Sequence, residues 1–352
     1  MIEFHDHGRT VRIGSGCDPF IIAEMSGNHN QSLERAIAIV DAAAAAGASA
    51  LKLQTYTPDT MTLNVRHGSF LVEDKGSLWA GRSLYDLYGE AMTPWEWHAP
   101  LFARCRERGL VPFSSPFDFS AVDFLETLDC PIWKIASFEL VDLPLIRRCA
   151  ATGRPLIMST GMATLSEVAD AVDAARAAGA TDILLLRCTS AYPSPPEAAN
   201  IATIPHLRET FRVEAGLSDH TMGVGVAVAA VALGAVAVEK HFTLSRAEGG
   251  VDSAFSMEPS ELAQLVRECR AARAAVGAPC YGAGAHEAQS LKHRRSLYIV
   301  NDLPAGHVLS ASDVRSIRPG DGLQPKHLQV ALGMRLRRSV VRGTPLAWDL
   351  LG

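Results

Sequence analysis

The 352-residue sequence has no apolar run long enough to cross a membrane, and its N-terminal MIEFHDHGRT lacks the apolar core of a secretory signal. It has only seven cysteines, an odd number with no C-x-x-C pair, which favours reduced thiols over a disulfide framework. The formal net charge of −5, with no long basic run, argues against nucleic acid as a partner. These absences predict a cytoplasmic protein that binds neither membranes nor nucleic acids.

What is present is a series of eight short apolar runs in the first 242 residues, each ending in polar residues. The runs are nearly continuous rather than alternating, which is typical of strands covered on both faces. Helical stretches separate them, with an N-cap predicted at Ser32 and capping boxes at Thr93–Glu96 and Thr164–Glu167. Strand and helix repeated eight times predict a (β/α)8 TIM barrel, whose active site lies at the carboxyl ends of the strands. The polar residues there are Glu24, Lys52 with Gln54, Ser114 with Ser115, Lys134 with Ser137, Ser159, Thr189 with Ser190, His220 and His241.

The tail of the chain differs in kind from the rest. A barrel of typical length ends near residue 280 and leaves about seventy residues over. From Ser296 the chain carries short β-like pieces separated by Gly- and Pro-containing turns. We therefore predict a barrel domain at 1–282, a linker at 283–293 and a small, mostly β domain at 294–352.

Lysines and hydroxyls at the predicted strand ends indicate an anion site. Taken singly, each lysine has an ordinary explanation as a solvated charge or a partner of a carboxylate. Their convergence on one barrel mouth favours binding of a phosphate and a carboxylate instead. The set comprises Lys52, Lys134 and Lys240 with Ser115, Ser137, Ser159 and Ser218.

Two histidines, His220 and His241, end the predicted seventh and eighth strands. Neighbouring strands lie about 4.8 Å apart, so two imidazoles there can share a divalent metal ion. The alternative is that each is a hydrogen-bonded core histidine. Two protein ligands are too few for a closed structural site, so such an ion would keep open positions for water or a substrate oxygen.

The motifs themselves resemble those of a known family. Glu24-Met-Ser-Gly-Asn-His-Asn, Leu51-Lys-Leu-Gln-Thr, Lys134-Ile-Ala-Ser, Ser159-Thr-Gly-Met, Cys188-Thr-Ser-Ala-Tyr-Pro, Gly216-Leu-Ser-Asp-His-Thr and Glu239-Lys-His-Phe-Thr are similar, in order, to motifs of the sialic acid synthases. In the tail, Arg294-Arg-Ser-Leu and Ile317-Arg-Pro-Gly-Asp-Gly resemble the antifreeze-like (SAF) domain of these enzymes.

The resemblance implies condensation of phosphoenolpyruvate with an open-chain amino sugar, giving a nine-carbon 2-keto acid and phosphate. It implies Mn²⁺ or Mg²⁺, with Co²⁺ as a further possibility, on His220 and His241. It also implies a domain-swapped homodimer in which Arg318 reaches the neighbouring subunit's sugar site. Glu139 would handle the proton of the attacking water, and Glu24, Gln54, Tyr192 and Asp252 would bind the sugar. Phosphoenolpyruvate would be held by Lys52, Ser115, Lys134, Ser137, Ser159, Ser190 and Ser218.

Within that family, Thr189-Ser-Ala-Tyr-Pro and Gly249-Gly-Val-Asp-Ser-Ala-Phe-Ser depart from the N-acetylneuraminate branch and resemble the pseudaminic acid branch. The resemblance implies 2,4-diacetamido-2,4,6-trideoxy-L-altrose as the sugar, with Phe255 and aromatics of the 56–93 segment packing its 6-methyl group. That segment is long enough to be a lid, although a surface loop is the alternative. N-acetylneuraminate or legionaminate synthesis, a Schiff-base aldolase using Lys52 or Lys134, and a non-catalytic sugar-binding protein remain open.

Overall fold

The computed structural model describes residues 1–73 and 79–352, which form two compact units, Met1–Gly277 and Ala278–Gly352. The Gly- and Ala-rich stretch at 278–288 begins the second unit, whereas the limits of the linker stay a prediction. Among the described residues, no helix has the length and apolar character needed to cross a membrane.

The first unit begins with an antiparallel hairpin that the sequence analysis missed, β1 (Ile2–Asp6) and β2 (Arg9–Ile13). Its turn has positive φ at His7 and Gly8, as a two-residue hairpin turn requires. Alternate side chains of both strands are buried against the barrel core, which is the period-2 signal of a half-buried strand.

Eight parallel strands then close into a barrel, in the order β10-β3-β4-β5-β6-β7-β8-β9, which confirms the predicted TIM barrel. Nearly every strand residue is buried, because helices cover the outer face and packed side chains fill the interior. The strands are β3 (Phe20–Glu24), β4 (Ala50–Thr55), β5 (Val111–Pro116), β6 (Trp133–Ile135), β7 (Leu156–Ser159), β8 (Ile183–Cys188), β9 (Glu214–Ser218) and β10 (Ala237–His241).

The helices follow the strands in chain order and bury mainly aliphatic and alanine side chains against the barrel. The helices of this unit are α1 (Leu33–Ala45), α2 (Pro58–Met61), α3 (Leu84–Ala91), α4 (Trp95–Glu107), α5 (Phe119–Glu126), α6 (Leu143–Ala150), α7 (Leu165–Ala177), α8 (Thr203–Phe211), α9 (Gly225–Ala232) and α10 (Pro259–Val276).

Their caps test three local predictions. Ser32 accepts the predicted N-cap hydrogen bond, and Thr164 forms the predicted capping box with Glu167. The box at Thr93 is wrong, because α4 begins one residue later with Pro94 as its N-cap. Thr93 is buried, and its hydroxyl lies 3.3 Å from Nε2 of His29 instead.

The second unit has a small apolar core and little regular structure. Strands β11 (Ser296–Ile299) and β12 (Val314–Ile317) pair antiparallel, and one short helix, α11 (Leu328–Ala331), packs with them. Isolated bridges such as Leu303 with Val340 extend the β pairing. The predicted small, mostly β domain is thus confirmed as an architecture.

Candidate active site

The strand register places the predicted polar residues in two successive rows at the carboxyl end of the barrel. His241 pairs with Glu24, and Glu24 pairs with Lys52, across β10, β3 and β4. Gln54 pairs with Ser115 on the next strand. Because paired residues of parallel strands point to the same face, these side chains enter the barrel interior together.

A buried cluster of four charged residues forms the floor of this region. Lys52 Nζ lies 2.7 Å from Glu24 Oε2 and 3.4 Å from Glu239 Oε1. Lys134 Nζ lies 3.7 Å from the same Glu239 oxygen. Lys52 also donates to Ser115 Oγ at 3.3 Å. Two ammonium groups and two carboxylates therefore meet where the sequence predicts an anion site.

Burial and mutual charge set the protonation of this cluster. Burial raises the pKa of Glu24 to about 7 despite Lys52 beside it. Burial lowers the pKa of Lys134, whereas the charges of Glu239 and Glu24 outweigh burial and raise that of Lys52. Glu239, opposed by burial but flanked by both lysines, has a lowered pKa and stays ionised. Protonation of Glu24 thus leaves two ammonium groups facing one carboxylate.

Lys240 does not belong to this cluster, so its place in the predicted anion set is wrong. Its ammonium bonds Asp219 at 2.9 Å and the carbonyls of Thr221 and Gly223. Alternation along β10 explains this, because Lys240 points outward while Glu239 and His241 point inward. The same alternation identifies Glu239 as a site residue that the sequence analysis missed. Its carboxylate lies between the ammonium groups of Lys52 and Lys134.

Three predicted serines converge at the ends of β6, β7 and β8. Gly161 donates its N–H to Ser137 Oγ at 3.1 Å, and a Cβ added at Gly161 would collide with both Ser137 Oγ and Ser190 Oγ. Ser159 Oγ is buried and has no hydrogen-bond partner among the described residues. The unpaired Ser159 hydroxyl, with two further serine hydroxyls beside it, suits an oxygen of a phosphate group.

His220 and His241 lie with their ring centroids 5.3 Å apart. His220 Nδ1 donates to the Thr189 carbonyl at 2.8 Å, which leaves its Nε2 lone pair free for a cation. His241 Nδ1 is buried without a hydrogen-bond partner, 3.9 Å from Asp252 Oδ2. Burial, then the neighbouring His220 and lysine charges, hold the pKa of His241 well below its usual range, so its ring is neutral.

These features fit a divalent cation with few protein ligands. Within residues 1–73 and 79–352, no group of three or more His, Cys, Asp or Glu side chains is arranged to hold a metal. Burial opposes the shift, but the hydrogen bond and charge of Cys188 raise the pKa of His220, so a cation there would displace a proton. The two imidazoles supply at most two positions, and the remaining positions would fall to water or substrate oxygens.

A cavity of about 350 Å³ opens beside the histidines. Its polar wall holds four predicted residues, Gln54, Glu139, Tyr192 and Asp252, and it is completed by His241. Asp252 accepts a hydrogen bond from the Ser26 hydroxyl. Its apolar wall comes largely from the 56–93 segment and includes Val72, Trp79, Leu84, Leu87 and Tyr88.

Glu139 follows β6 on the wall of this cavity, and burial raises its pKa to about 7. Its Oε2 is buried with no hydrogen-bond partner among the described residues. A carboxyl group in this state can take up or release a proton near neutral pH.

A larger cavity, about 550 Å³, lies beside β1 and is lined by residues such as His5, Asp129 and Arg154, none of them predicted site residues. Arg318 directly follows β12 in the second unit, and its role at the sugar stays a prediction.

Comparison with known proteins places the chain in a family. The model of the NeuB family matches residues 39–281, and that of the SAF domain matches residues 294–352. Pseudaminic acid synthase of Helicobacter pylori is 42% identical over 94% of this chain and 97% of its own length. Pseudaminic acid synthase of Campylobacter jejuni is 42% identical over 93% of this chain and 95% of its own length.

A solved structure agrees with these sequence matches. N-acetylneuraminic acid synthetase of Leptospira borgpetersenii superposes with a TM-score of 0.72 at 30% identity, covering 83% of this chain and 96% of its own. The chain belongs to the NeuB family. Like the synthases it resembles, it is an enzyme.

Proposed function

We propose that the enzyme condenses phosphoenolpyruvate with 2,4-diacetamido-2,4,6-trideoxy-L-altrose, giving pseudaminic acid and phosphate. The observation that carries the proposal is one continuous site, in which buried lysines and serines adjoin a histidine pair and a cavity with an apolar wall. The 42% identity to two pseudaminic acid synthases supports the choice of sugar.

In this proposal phosphoenolpyruvate lies over the charged cluster. Lys52 and Lys134 face its carboxylate and phosphate, while Ser115, Ser137, Ser159, Ser190 and Ser218 supply hydroxyl donors. Protonation of Glu24 on binding would leave the two lysines in excess, which offsets the charge of the substrate. The buried setting strengthens each of these interactions relative to water.

Glu24, Gln54, Tyr192 and Asp252 would bind the sugar with its aldehyde toward the histidines. A divalent cation held by His220 and His241, of which Mn²⁺, Mg²⁺ and Co²⁺ are candidates, would supply Lewis-acid polarisation of the aldehyde oxygen. Holding the two carbon atoms that react in one closed site removes the entropy cost of their encounter.

The bond changes then balance with one water molecule. Carbon 3 of the enol phosphate attacks the aldehyde carbon, which leaves carbon 2 electron-poor. Water adds to carbon 2 and gives one proton to Glu139, whose pKa of about 7 suits that role, and this proton replaces the one that the aldehyde oxygen takes up to become a hydroxyl. The bond from carbon 2 to the phosphate oxygen then breaks, the second proton of the water leaves with the phosphate, and the 2-keto acid remains.

The sugar preference tests this proposal. We expect kcat/KM for the diacetamido-trideoxy sugar to exceed that for N-acetylmannosamine by at least about a hundredfold, because an apolar wall leaves an added hydroxyl without a partner. Phosphate release measured with each sugar at saturating phosphoenolpyruvate gives the ratio. Equal or better use of N-acetylmannosamine would favour N-acetylneuraminate synthesis, and preference for the legionaminic acid precursor would favour that branch.

We further propose that the enzyme acts in the cytoplasm, where phosphoenolpyruvate is made, as a domain-swapped homodimer. Exposed apolar side chains surround the barrel mouth, each at least half exposed on a segment that follows a strand. A rim of this kind marks a surface that another protein covers. Its members are Leu63, Phe119, Phe138, Val141, Met162, Leu165 and Met222. The second unit of a partner subunit would cover it and bring Arg318 to the sugar.

Subunit mixing tests this arrangement. Arg318→Ala and His241→Ala proteins are each expected to be inactive, and mixing them under exchange conditions should restore up to about a quarter of wild-type activity. The reason is that one of the two sites in a mixed dimer contains both intact residues. If exchange is demonstrated by mass-tagged subunits and the mixture stays inactive, Arg318 does not act across the interface.

A further inference from the structure

Two tyrosine hydroxyls of the sugar cavity have no hydrogen-bond partner within residues 1–73 and 79–352. Tyr56 and Tyr88 both line the cavity, and Tyr56 is only 2% exposed. Within the described part of the chain neither hydroxyl makes a hydrogen bond. Neither hydroxyl is among the fully buried atoms that lack a partner, so both reach the cavity and are available to a ligand there.

Packing fixes the direction of these rings. Tyr56 meets Tyr88 edge to face at 5.8 Å and Phe117 edge to face at 5.2 Å. The Tyr56 carbonyl accepts a hydrogen bond from Trp95 Nε1 at 3.2 Å, which anchors its backbone. Burial raises the pKa of both tyrosines, so each hydroxyl remains protonated and able to donate.

The tyrosines belong to a different aromatic group from the one around the histidines. Tyr192 packs on His220 at 4.3 Å, and Phe255 packs on His241 at 5.0 Å. The ring contacts of Tyr56, among described residues, are instead with Tyr88 and Phe117. A sugar with its aldehyde at the histidines would bring its carbon 2 acetamido group toward Tyr192 and its later carbons toward the part of the cavity lined by Tyr56 and Tyr88.

We propose that Tyr56, supported by Tyr88, donates a hydrogen bond to the carbonyl of the acetamido group on carbon 4 of the sugar. Leu84 and Leu87 of α3, on the same cavity, would pack the amide methyl group. This inference rests on the proposed function and adds the residue that distinguishes a second acetamido group from a hydroxyl. The carbonyl oxygen of an acetamido group lies further from carbon 4 than a hydroxyl oxygen would, so a donor fixed at hydrogen-bond distance from the carbonyl leaves the hydroxyl out of reach.

Tyr56→Phe removes only the oxygen and keeps the ring. We expect kcat/KM for the diacetamido sugar to fall about tenfold, mainly through KM. For the analogue with a hydroxyl on carbon 4, 2-acetamido-2,6-dideoxy-L-altrose, we expect a change of less than about twofold. KM for phosphoenolpyruvate and the melting temperature should stay at wild-type values, since the hydroxyl makes no bond within the protein. Tyr88→Phe should show the same pattern with a smaller loss.

Tyr85→Phe is the matched control. Tyr85 lies on α3 with Tyr88, but its hydroxyl donates to Asp59 at 3.2 Å and it does not line the cavity. This variant should keep kcat/KM for both sugars at the wild-type value. The inference is overturned if Tyr56→Phe lowers kcat/KM equally for both sugars, or lowers it for neither. In either case, activity of the wild-type enzyme still supports the proposed function. Absence of phosphate release by the wild-type enzyme with every sugar overturns the proposed function itself.

Discussion

Replacement of His241 by alanine is expected to lower kcat at least about a thousandfold, since the proposed cation would polarise the aldehyde and lower the barrier by several kcal/mol. The variant should also lose Mn²⁺ binding when the metal is titrated calorimetrically without substrates. Wild-type enzyme treated exhaustively with EDTA should lose activity and regain it with Mn²⁺. The fold should persist, because His241 ends a strand at the rim of the cavity.

His206→Ala is the control for this experiment, because His206 lies exposed on α8 and contacts only Thr210 at 3.4 Å among described residues. It should bind Mn²⁺ and turn over as the wild type does. Undiminished turnover after EDTA treatment contradicts a catalytic cation. Unchanged turnover in His241→Ala shows that this histidine is structural.

Replacement of Lys52 by methionine should have the second large effect. The change leaves Glu24 and Glu239 buried with one lysine between them, which is expected to cost about 3–5 kcal/mol of unfolding free energy. In the proposed function Lys52 is also a charged donor to phosphoenolpyruvate, so kcat/KM per folded molecule should fall about a hundredfold or more. Urea unfolding and phosphate release measured on the same preparation give the two quantities.

Lys240→Met separates stability from catalysis. Lys240 is as deeply buried as Lys52, but it bonds Asp219 on the outer face of the barrel. Its loss should therefore destabilise the fold by a similar amount and leave kcat/KM per folded molecule near wild type. Equal losses of kcat/KM in the two variants would mean that Lys52 acts only through stability.

The barrel was predictable because parallel strands with two covered faces require continuous apolar runs, and a polar residue at the end of such a run is conspicuous. The face on which a charged residue lies was harder to predict. Glu239, Lys240 and His241 are adjacent, and only the register of β10 shows that Lys240 points away from the site. A count of lysines at strand ends therefore included Lys240 and overlooked Glu239.

Other features depend on contacts between segments distant in sequence. Thr93 has the sequence of a helix cap, but burial beside His29 gives its hydroxyl another partner. The apolar wall of the cavity requires Tyr88 of α3 to pack on Tyr56, just past the end of β4, which no local pattern reveals. The predicted lid within 56–93 remains a prediction, and its residues 74–78 lie outside the described chain.

The most direct test of the account follows both reactants by ³¹P NMR. Purified enzyme with Mn²⁺, phosphoenolpyruvate and the diacetamido-trideoxy sugar should convert the enol phosphate to inorganic phosphate, with one nine-carbon 2-keto acid formed per phosphate by mass spectrometry. Omission of the sugar should leave phosphoenolpyruvate intact. The account is contradicted if no phosphate appears with both substrates. It is equally contradicted if pyruvate replaces phosphoenolpyruvate and borohydride traps it on Lys52 or Lys134, the outcome for a Schiff-base aldolase.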